Sequence, residues 1–158
     1  MANPAKETTS YPFTAFRFSV TISVPDFSND PLCNAAFAEC DGLETNMDVK
    51  TIREGGNNAA QIRLFGAVNY GTLTLKRGMT SNLDLWKWFS LATGNTARGT
   101  MASGTILMRN GDGRNTVRFK LTDCLPLKIK APALNAKDGI LAIEEMQIAY
   151  SLFTVELA

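Results

Sequence analysis

Phe16-Arg17-Phe18-Ser19-Val20-Thr21-Ile22-Ser23-Val24 is the stretch that decides the class of fold. Phe16, Phe18, Val20, Ile22 and Val24 take every second position, and Arg17, Ser19, Thr21 and Ser23 take the positions between. Successive side chains leave a strand on opposite sides, so this stretch has one apolar face and one polar face. Such a strand belongs in an antiparallel sheet with one side on the core and the other in water. Pro25 ends it, because proline has no N–H for a ladder.

The same alternation recurs downstream. A strand is expected over 68–77, with Leu73 and Leu75 on one face and Tyr70, Thr72, Thr74 and Lys76 on the other; Gly78 ends it. Stretches 104–109 and 116–123 flank Asn110-Gly111-Asp112-Gly113, a hairpin signal. Val117, Phe119 and Leu121 alternate there with Arg118, Lys120 and Thr122. A second strand along the chain is expected over 36–44. The last strand or strand pair falls within 140–157: Met146, Ile148, Tyr150 and Leu152 share one phase, and Phe153, Val155 and Leu157 take the other. A phase switch requires a bulge, a bend or a change of sheet.

The rest is loop or helix. Residues 25–35 read as a loop, and 124–139 hold Pro126, Pro132 and the turn Lys137-Asp138-Gly139. Residues 45–61 are polar, with too few apolar side chains to pack a core and a turn at Gly55-Gly56-Asn57-Asn58. They are expected to protrude as a loop or hairpin arm. A helix is expected over 82–92, opened by Ser81 and Asp84 in a carboxylate version of the capping box and stopped by Gly94. Leu85, Trp86, Trp88, Phe89 and Ala92 form its broad apolar face, yet Leu83 and Leu91 fall on the side of Asp84, Lys87 and Ser90. A helix apolar nearly all round is usually covered on more than one side. Either another subunit supplies that second cover, or these are two exposed leucines of the ordinary kind. The fold class expected is mainly β, a barrel or sandwich of about six or seven strands with one flanking α-helix. One domain is expected over 1–158, with 1–11 a flexible or partner-ordered arm.

Composition narrows the function more by subtraction. A chain of 158 residues with 45% hydrophobic and 20% charged residues can bury a core and is not disordered. A formal net charge of +1 carries no basic stripe of the kind that free nucleic-acid binders show. There is no histidine, which removes the usual general base near neutral pH and the Ser-His-Asp and Cys-His nucleophiles. Cys33, Cys40 and Cys124 lack CxxC spacing and are expected to be reduced and mostly buried; zinc would need a fourth ligand. No carboxylates stand at acid–base or metal spacing, and adjacent Glu144 and Glu145 would point to opposite faces of a strand. Gly55-Gly56 lacks a phosphate-loop lysine pattern. Lys76-Arg77 reads as a solvated strand end. No run approaches the roughly 20 apolar residues of a membrane span, and the polar start is no secretory signal. No catalytic, metal or cofactor residue is expected, no membrane anchor either, and assembly in the cytoplasm is. The polar faces bearing Arg17, Ser19, Thr21, Ser23 and Arg118, Lys120, Thr122 are either an ordinary solvent face or the wall of a water-filled channel.

Several motifs then occur in a recognisable order. Tyr11-Pro12 precedes Phe16-Arg17-Phe18-Ser19-Val20. Phe37-Ala38-Glu39-Cys40-Asp41-Gly42-Leu43-Glu44 and Ile52-Arg53-Glu54-Gly55-Gly56-Asn57 follow. Leu73-Thr74-Leu75-Lys76-Arg77-Gly78 stands before Leu85-Trp86-Lys87-Trp88, and Ile143-Glu144 lies near the last strand. From about residue 11 to 157 this order resembles the phage tail tube protein family, and within it the inner-tube proteins of extracellular contractile injection systems. The resemblance departs at Leu64-Phe65-Gly66, where many relatives carry a proline–glycine pair.

The resemblance implies a β-barrel-like core with a flanking helix, and six subunits closing into rings that stack helically into a hollow tube. Implied partners are other copies of the chain, a contractile sheath protein, baseplate or spike proteins, and tape-measure or cap proteins. The cargo would be a protein effector, or DNA in a phage. Interface candidates are Glu44, Asp48, Lys50, Arg53, Glu54 and Asn57 on the polar arm, with Leu83 and Leu91 on the helix. The N-terminal arm, 25–35 and 126–139 are further contact candidates. Lumen candidates are Arg17, Ser19, Thr21, Ser23, Arg118, Lys120 and Thr122. A soluble small-ligand-binding β-barrel is the alternative of another class.

Overall fold

A single long strand organises the molecule. The computed structural model describes residues 12–25, 33–56, 58–94, 100–112 and 116–157. Along the chain these form β1 (Phe18–Ser23), β2 (Cys33–Ala35), β3 (Glu39–Asp41), β4 (Thr45–Ile52), β5 (Ile62–Tyr70), β6 (Thr72–Gly78), α1 (Asp84–Thr93), β7 (Ala102–Arg109), β8 (Thr116–Lys130), β9 (Ile143–Ala149) and β10 (Leu152–Leu157). The first half of β8 lies between β7 and β10, and its second half pairs with β9. At the change-over Asp123 takes a positive φ of 54°. One sheet therefore runs β2-β1-β7-β8-β10 and a second runs β8-β9-β6-β3, every pair antiparallel.

The apolar faces that alternation marked out meet between these sheets. Val20, Ile22, Ile106 and Leu121 come from the first sheet, and Leu73, Leu75, Met146 and Ile148 from the second. Helix α1 adds Leu85 and Trp88 and packs on β8. The phase switch near the end of the chain is a change of sheet. Tyr150 and Ser151 separate β9, which pairs with β6 and the second half of β8, from β10, which pairs with the first half.

The structure corrects several sequence expectations. The strand expected over 68–77 is two strands broken at Gly71, whose N–H donates to the Glu44 carbonyl. The strand expected over 36–44 shortens to β3. At Gly42, in a positive φ of 93°, an added Cβ would lie 1.9 Å from the Thr72 carbonyl oxygen, so the chain can turn there only as glycine. Residues 124–139 are strand as far as Lys130, because Pro126 sits at a register shift where a missing N–H costs no ladder bond. The N-cap position is Leu83, which makes no side-chain cap bond; just before it Asn82, and not Ser81, accepts from the Asp84 N–H through its Oδ1 at 2.9 Å. Gly94 closes it, its N–H donating to the Ser90 carbonyl. No helix among the described residues is long and apolar enough to cross a membrane.

Arg77 is the largest departure from the solvated strand end expected of Lys76-Arg77. Leu73, Leu75 and Arg77 share the inner face of β6, so the guanidinium is driven into the core at 4% exposure. Its counter-charge is Glu144, the inward-pointing member of the Glu144-Glu145 pair, at 1% exposure. The Arg77 Nη2 also donates to the Asn82 carbonyl at 3.0 Å, and the Trp86 indole Nε1 donates to the other Glu144 oxygen at 2.8 Å. The ring of Phe37 lies beneath the guanidinium, 5.8 Å from its centre. This cluster ties the entry and first turn of α1 to β6 and β9.

Candidate functional site

Three surfaces hold the candidate residues, and the first is an arm. Among the described residues, strands β4 and β5 pair only with each other, as a two-stranded sheet apart from the main one. The arm is rooted by Tyr150: its hydroxyl accepts from the Glu44 N–H at 3.1 Å and lies 2.8 Å from the Gly42 carbonyl, to which it can donate. Its register sets Met47 opposite Val68, Lys50 opposite Leu64, and Ile52 opposite Ile62. Opposed residues share a face, and residues two apart along a strand share it too. By that rule Ile52, Ile62 and Leu64 share one face with Lys50, and Met47 and Val68 share the other with Val49 and Phe65, because the bulge sets Gly66 and Ala67 against Asp48; Met47, Ile52, Ile62, Leu64 and Val68 are each 41–48% exposed. Val49 and Phe65 are opposed on that second face, with Phe65 91% exposed.

The arm is thus a hairpin, as one of the two expectations had it, but it is not simply polar. The apolar residues of β5 supply what 45–61 alone lacks. Asp48 stands at the register shift between Met47 and Val49, where it accepts from the Asn69 side-chain amide at 3.0 Å. Gly66 faces this bulge: an added Cβ would lie 2.0 Å from the Asp48 carbonyl oxygen. Leu64-Phe65-Gly66 is therefore continuous strand, and its glycine is required by backbone approach. Arg53 and Glu54 are exposed where β4 ends, and Asn57 lies outside the described residues. Arg53 with Asn58, Ala59, Ala60 and Gln61 lines an open depression of about 330 Å³ at the tip. The missed signal was the alternation of Ile62, Leu64, Gly66 and Val68, which continues the strand period upstream of 68.

The second surface is the outer side of α1. Leu83 and Leu91 are exposed, and with Trp86, Lys87 and Ser90 they line an open, largely apolar depression of about 420 Å³. The third is the polar side of the first sheet. Its register aligns Ser19, Leu107, Arg118 and Glu156 in one row and Thr21, Thr105, Lys120 and Thr154 in the next. Ser23 lies opposite Ser103, and Thr122 opposite Leu152. Glu156 accepts from Arg118 at 3.0 Å and from Lys120 at 2.8 Å, and these bonds lower its pKa from the ordinary carboxylate value. The fold thus brings all seven lumen candidates to one side of one sheet, while the arm and helix candidates stand on separate surfaces.

The groups that could carry chemistry are engaged elsewhere or quiet. Among the described residues no cluster of metal-ligating side chains forms. Burial pushes the thiols of Cys40 and Cys124 up to about 11, aided by the charges of Asp41 and Asp123; a hydrogen bond from Gly104 works the other way at Cys124. Both are free cysteines, and the Cys33 side chain lies outside the described part of the chain.

Comparison with known proteins agrees with the fold. The family model for the T4-like virus tail tube protein gp19 matches residues 14–154. The chain superposes with a TM-score of 0.81 and 24% identity on a chain of the anti-feeding prophage baseplate, covering 94% of this chain and 97% of that one. It matches a chain of the sheath–tube complex of the extracellular contractile injection system PVC at 0.77 and 18% identity, covering 100% of both. A chain of the anti-feeding prophage cap, the tube-terminating cap, gives 0.79 and 20%, again covering 100% of both. At these identities the likeness is one of fold. No curated protein sequence matches.

Proposed function

The chain belongs to the T4-like virus tail tube protein gp19 family, and from that premise we propose that it is a structural subunit of the inner tube of a contractile injection system. Its copies would close into six-membered rings, as the 6-fold symmetry of the anti-feeding prophage baseplate suggests, and stack into a hollow tube. Its partners would be a sheath around the tube, a baseplate below and a cap above, the assemblies in which its structural neighbours occur. The particle would be phage-tail-like and assembled in the cytoplasm. The role is mechanical and not enzymatic. Sheath contraction drives the tube through an envelope, and the tube itself performs no reaction.

The observation that carries this reading is the β4–β5 hairpin. An isolated two-stranded hairpin is marginal in water, and this one exposes seven large apolar residues, Met47, Val49, Phe65 and Val68 on one face and Ile52, Ile62 and Leu64 on the other. Neighbouring copies seated on those faces would explain why the arm is built so. Leu83 and Leu91 fit a second contact. The space between the two sheets is filled by Leu73, Leu75, Met146, Ile148 and Trp88, which disfavours a barrel that binds a small ligand there. A phage tail tube that passes DNA is the second reading, favoured by the family's own description.

The test is negative-stain microscopy of the purified chain, alone and with its sheath partner. Hollow rings or tubes are expected. A chain that stays a monodisperse monomer in every condition refutes the proposal.

A further inference from the structure

We infer that the polar side of the β1-β7-β8-β10 sheet is a cationic lining that receives an acidic protein as cargo; this rests on the tube reading above, with that side facing the bore. The cations are Arg17, Arg109, Arg118 and Lys120, and the one carboxylate among them is Glu156. Antiparallel pairing puts Arg17 directly across from Arg109: Phe18 opposes Met108, and the Arg109 N–H donates to the Arg17 carbonyl at 2.9 Å. Like charges directly opposed on a sheet repel. Among the described residues Glu156 is shared by Arg118 and Lys120, whereas Arg17 and Arg109 form no ion pair. Arg17 is held instead by the Gly111 carbonyl and the Phe16 ring, which leave its charge uncompensated. Asp112, at the hairpin tip, and Asp123, at the bend of β8, make no ion pair with the row among the described residues. An anion lying across Arg17, Arg109 and Arg118 would relieve this repulsion.

The kind of anion follows from what lies between the charges. Ser19, Thr21, Thr105 and Thr154 supply hydroxyls, and no strand position of this face is aromatic. Single-stranded nucleic acid therefore lacks stacking platforms. Duplex DNA would meet Glu156 at the β10 end of the row, set against a continuous line of phosphates. A folded protein with scattered carboxylates can meet the cations and avoid Glu156. Repeated around and along a tube, the excess positive charge would concentrate such a protein in the bore.

The experiment assembles tubes in the presence of one small globular probe protein made in acidic, neutral and basic surface-charge versions, with duplex DNA as a fourth arm. Tubes are first verified by microscopy, and protease-protected or nuclease-protected material that sediments with them is then measured. The acidic probe should be retained about tenfold more than the neutral one, the scale on which charged clefts concentrate counter-ions, and raised salt should erase the difference. Arg17→Gln with Arg109→Gln should lower retention of the acidic probe. Glu156→Gln should raise it, and this opposite sign separates the inference from a general loss of structure. Tubes that retain acidic and neutral probes equally, or that retain DNA in place of the acidic probe, overturn the inference and leave the tube reading standing. A chain that forms no rings overturns both.

Discussion

Replacing Glu144 by alanine tests how the core is held. Glu144 is 1% exposed and accepts from both the Arg77 guanidinium and the Trp86 indole, at 2.8 Å for the latter. Its removal leaves a buried guanidinium without its counter-charge and a partly buried indole N–H without this acceptor. Breaking one side of a buried ion pair costs about 3–5 kcal/mol. The Asn82 carbonyl still receives Arg77, which favours the lower end of that range. For a chain of this size each kcal/mol moves the melting temperature by about 2–4 °C, so a fall of roughly 6–20 °C is expected. The assay is thermal unfolding of the unassembled chain followed by circular dichroism. A second variant, Arg77→Met with Glu144→Leu and Trp86→Phe, removes the guanidinium, the carboxylate and the indole N–H together and leaves no charge of this pair buried. Apolar replacement of a whole buried pair is often neutral or better, so this variant should melt within about 5 °C of the parent. A Glu144→Ala loss below about 1 kcal/mol, or a triple variant as damaged as the single one, would refute the account of Arg77 and Glu144 as a coupled buried pair.

Three further outcomes are expected. Leu83→Ser with Leu91→Ser should abolish ring or tube formation while leaving monomer stability within about 0.5 kcal/mol, as exposed substitutions do; unchanged assembly in microscopy rejects α1 as a contact. Gly66→Ala, whose Cβ would strike the Asp48 carbonyl at 2.0 Å, should unpair β4 from β5 and raise amide hydrogen exchange over 45–70. The main melting transition should hardly move, and wild-type exchange over 45–70 counts against the close approach of Gly66 to the Asp48 backbone. Cys40 and Cys124, with thiols pushed up to about 11 by burial, hold about one thiolate in a thousand at pH 8. Iodoacetamide should leave both unmodified in the native chain and label both in denaturant, and peptide-resolved mass spectrometry would detect the contrary.

Strands whose two faces differ in polarity were legible from the chain alone. Val20 and Ile22 on β1, and Leu73 and Leu75 on β6, announce their inner face by period two and lie in the core. The phase break after Leu152 was legible as a discontinuity, but the sequence period cannot say which partner a strand takes on either side of it. Here β9 and β10 share one partner, β8, in its two halves. Arg77 departs from a solvated strand end because its parity places it on the inner face in spite of its charge. It stands in phase with Leu73 and Leu75, and its cover comes from Glu144, 67 positions away. No local rule couples residues at that distance. Arg17, Ser19, Thr21, Ser23, Arg118, Lys120 and Thr122 fall on one side of the sheet because each group holds one parity within its own strand, and antiparallel register preserves parity across neighbours.

The arm fails the local reading for a different reason, and that reason bears on function. Its polar half, 45–61, looks like a polar protrusion when taken apart from 62–70, although the complete hairpin exposes apolar residues on both faces. A segment with apolar residues on a face that its own chain does not cover conflicts with the rule that such faces are buried. In the tube reading, a partner outside the chain resolves the conflict. The molecule then divides into two parts with separate sources of stability. The two sheets and α1 close on Leu73, Leu75, Met146, Ile148 and Trp88 and on the Arg77–Glu144 pair, all within one chain. The β4–β5 arm closes on itself through its ladder, the Asp48–Asn69 bond and the Tyr150 and Gly71 contacts at its root. Substitutions in the first part should move the melting of the free subunit, and substitutions of the exposed apolar residues of the second should move assembly and leave that melting alone. A hairpin substitution such as Leu64→Ser that lowered the melting of the free subunit as much as Glu144→Ala does would show the arm to be part of the same cooperative core, and would remove the reason for seating a neighbour on it.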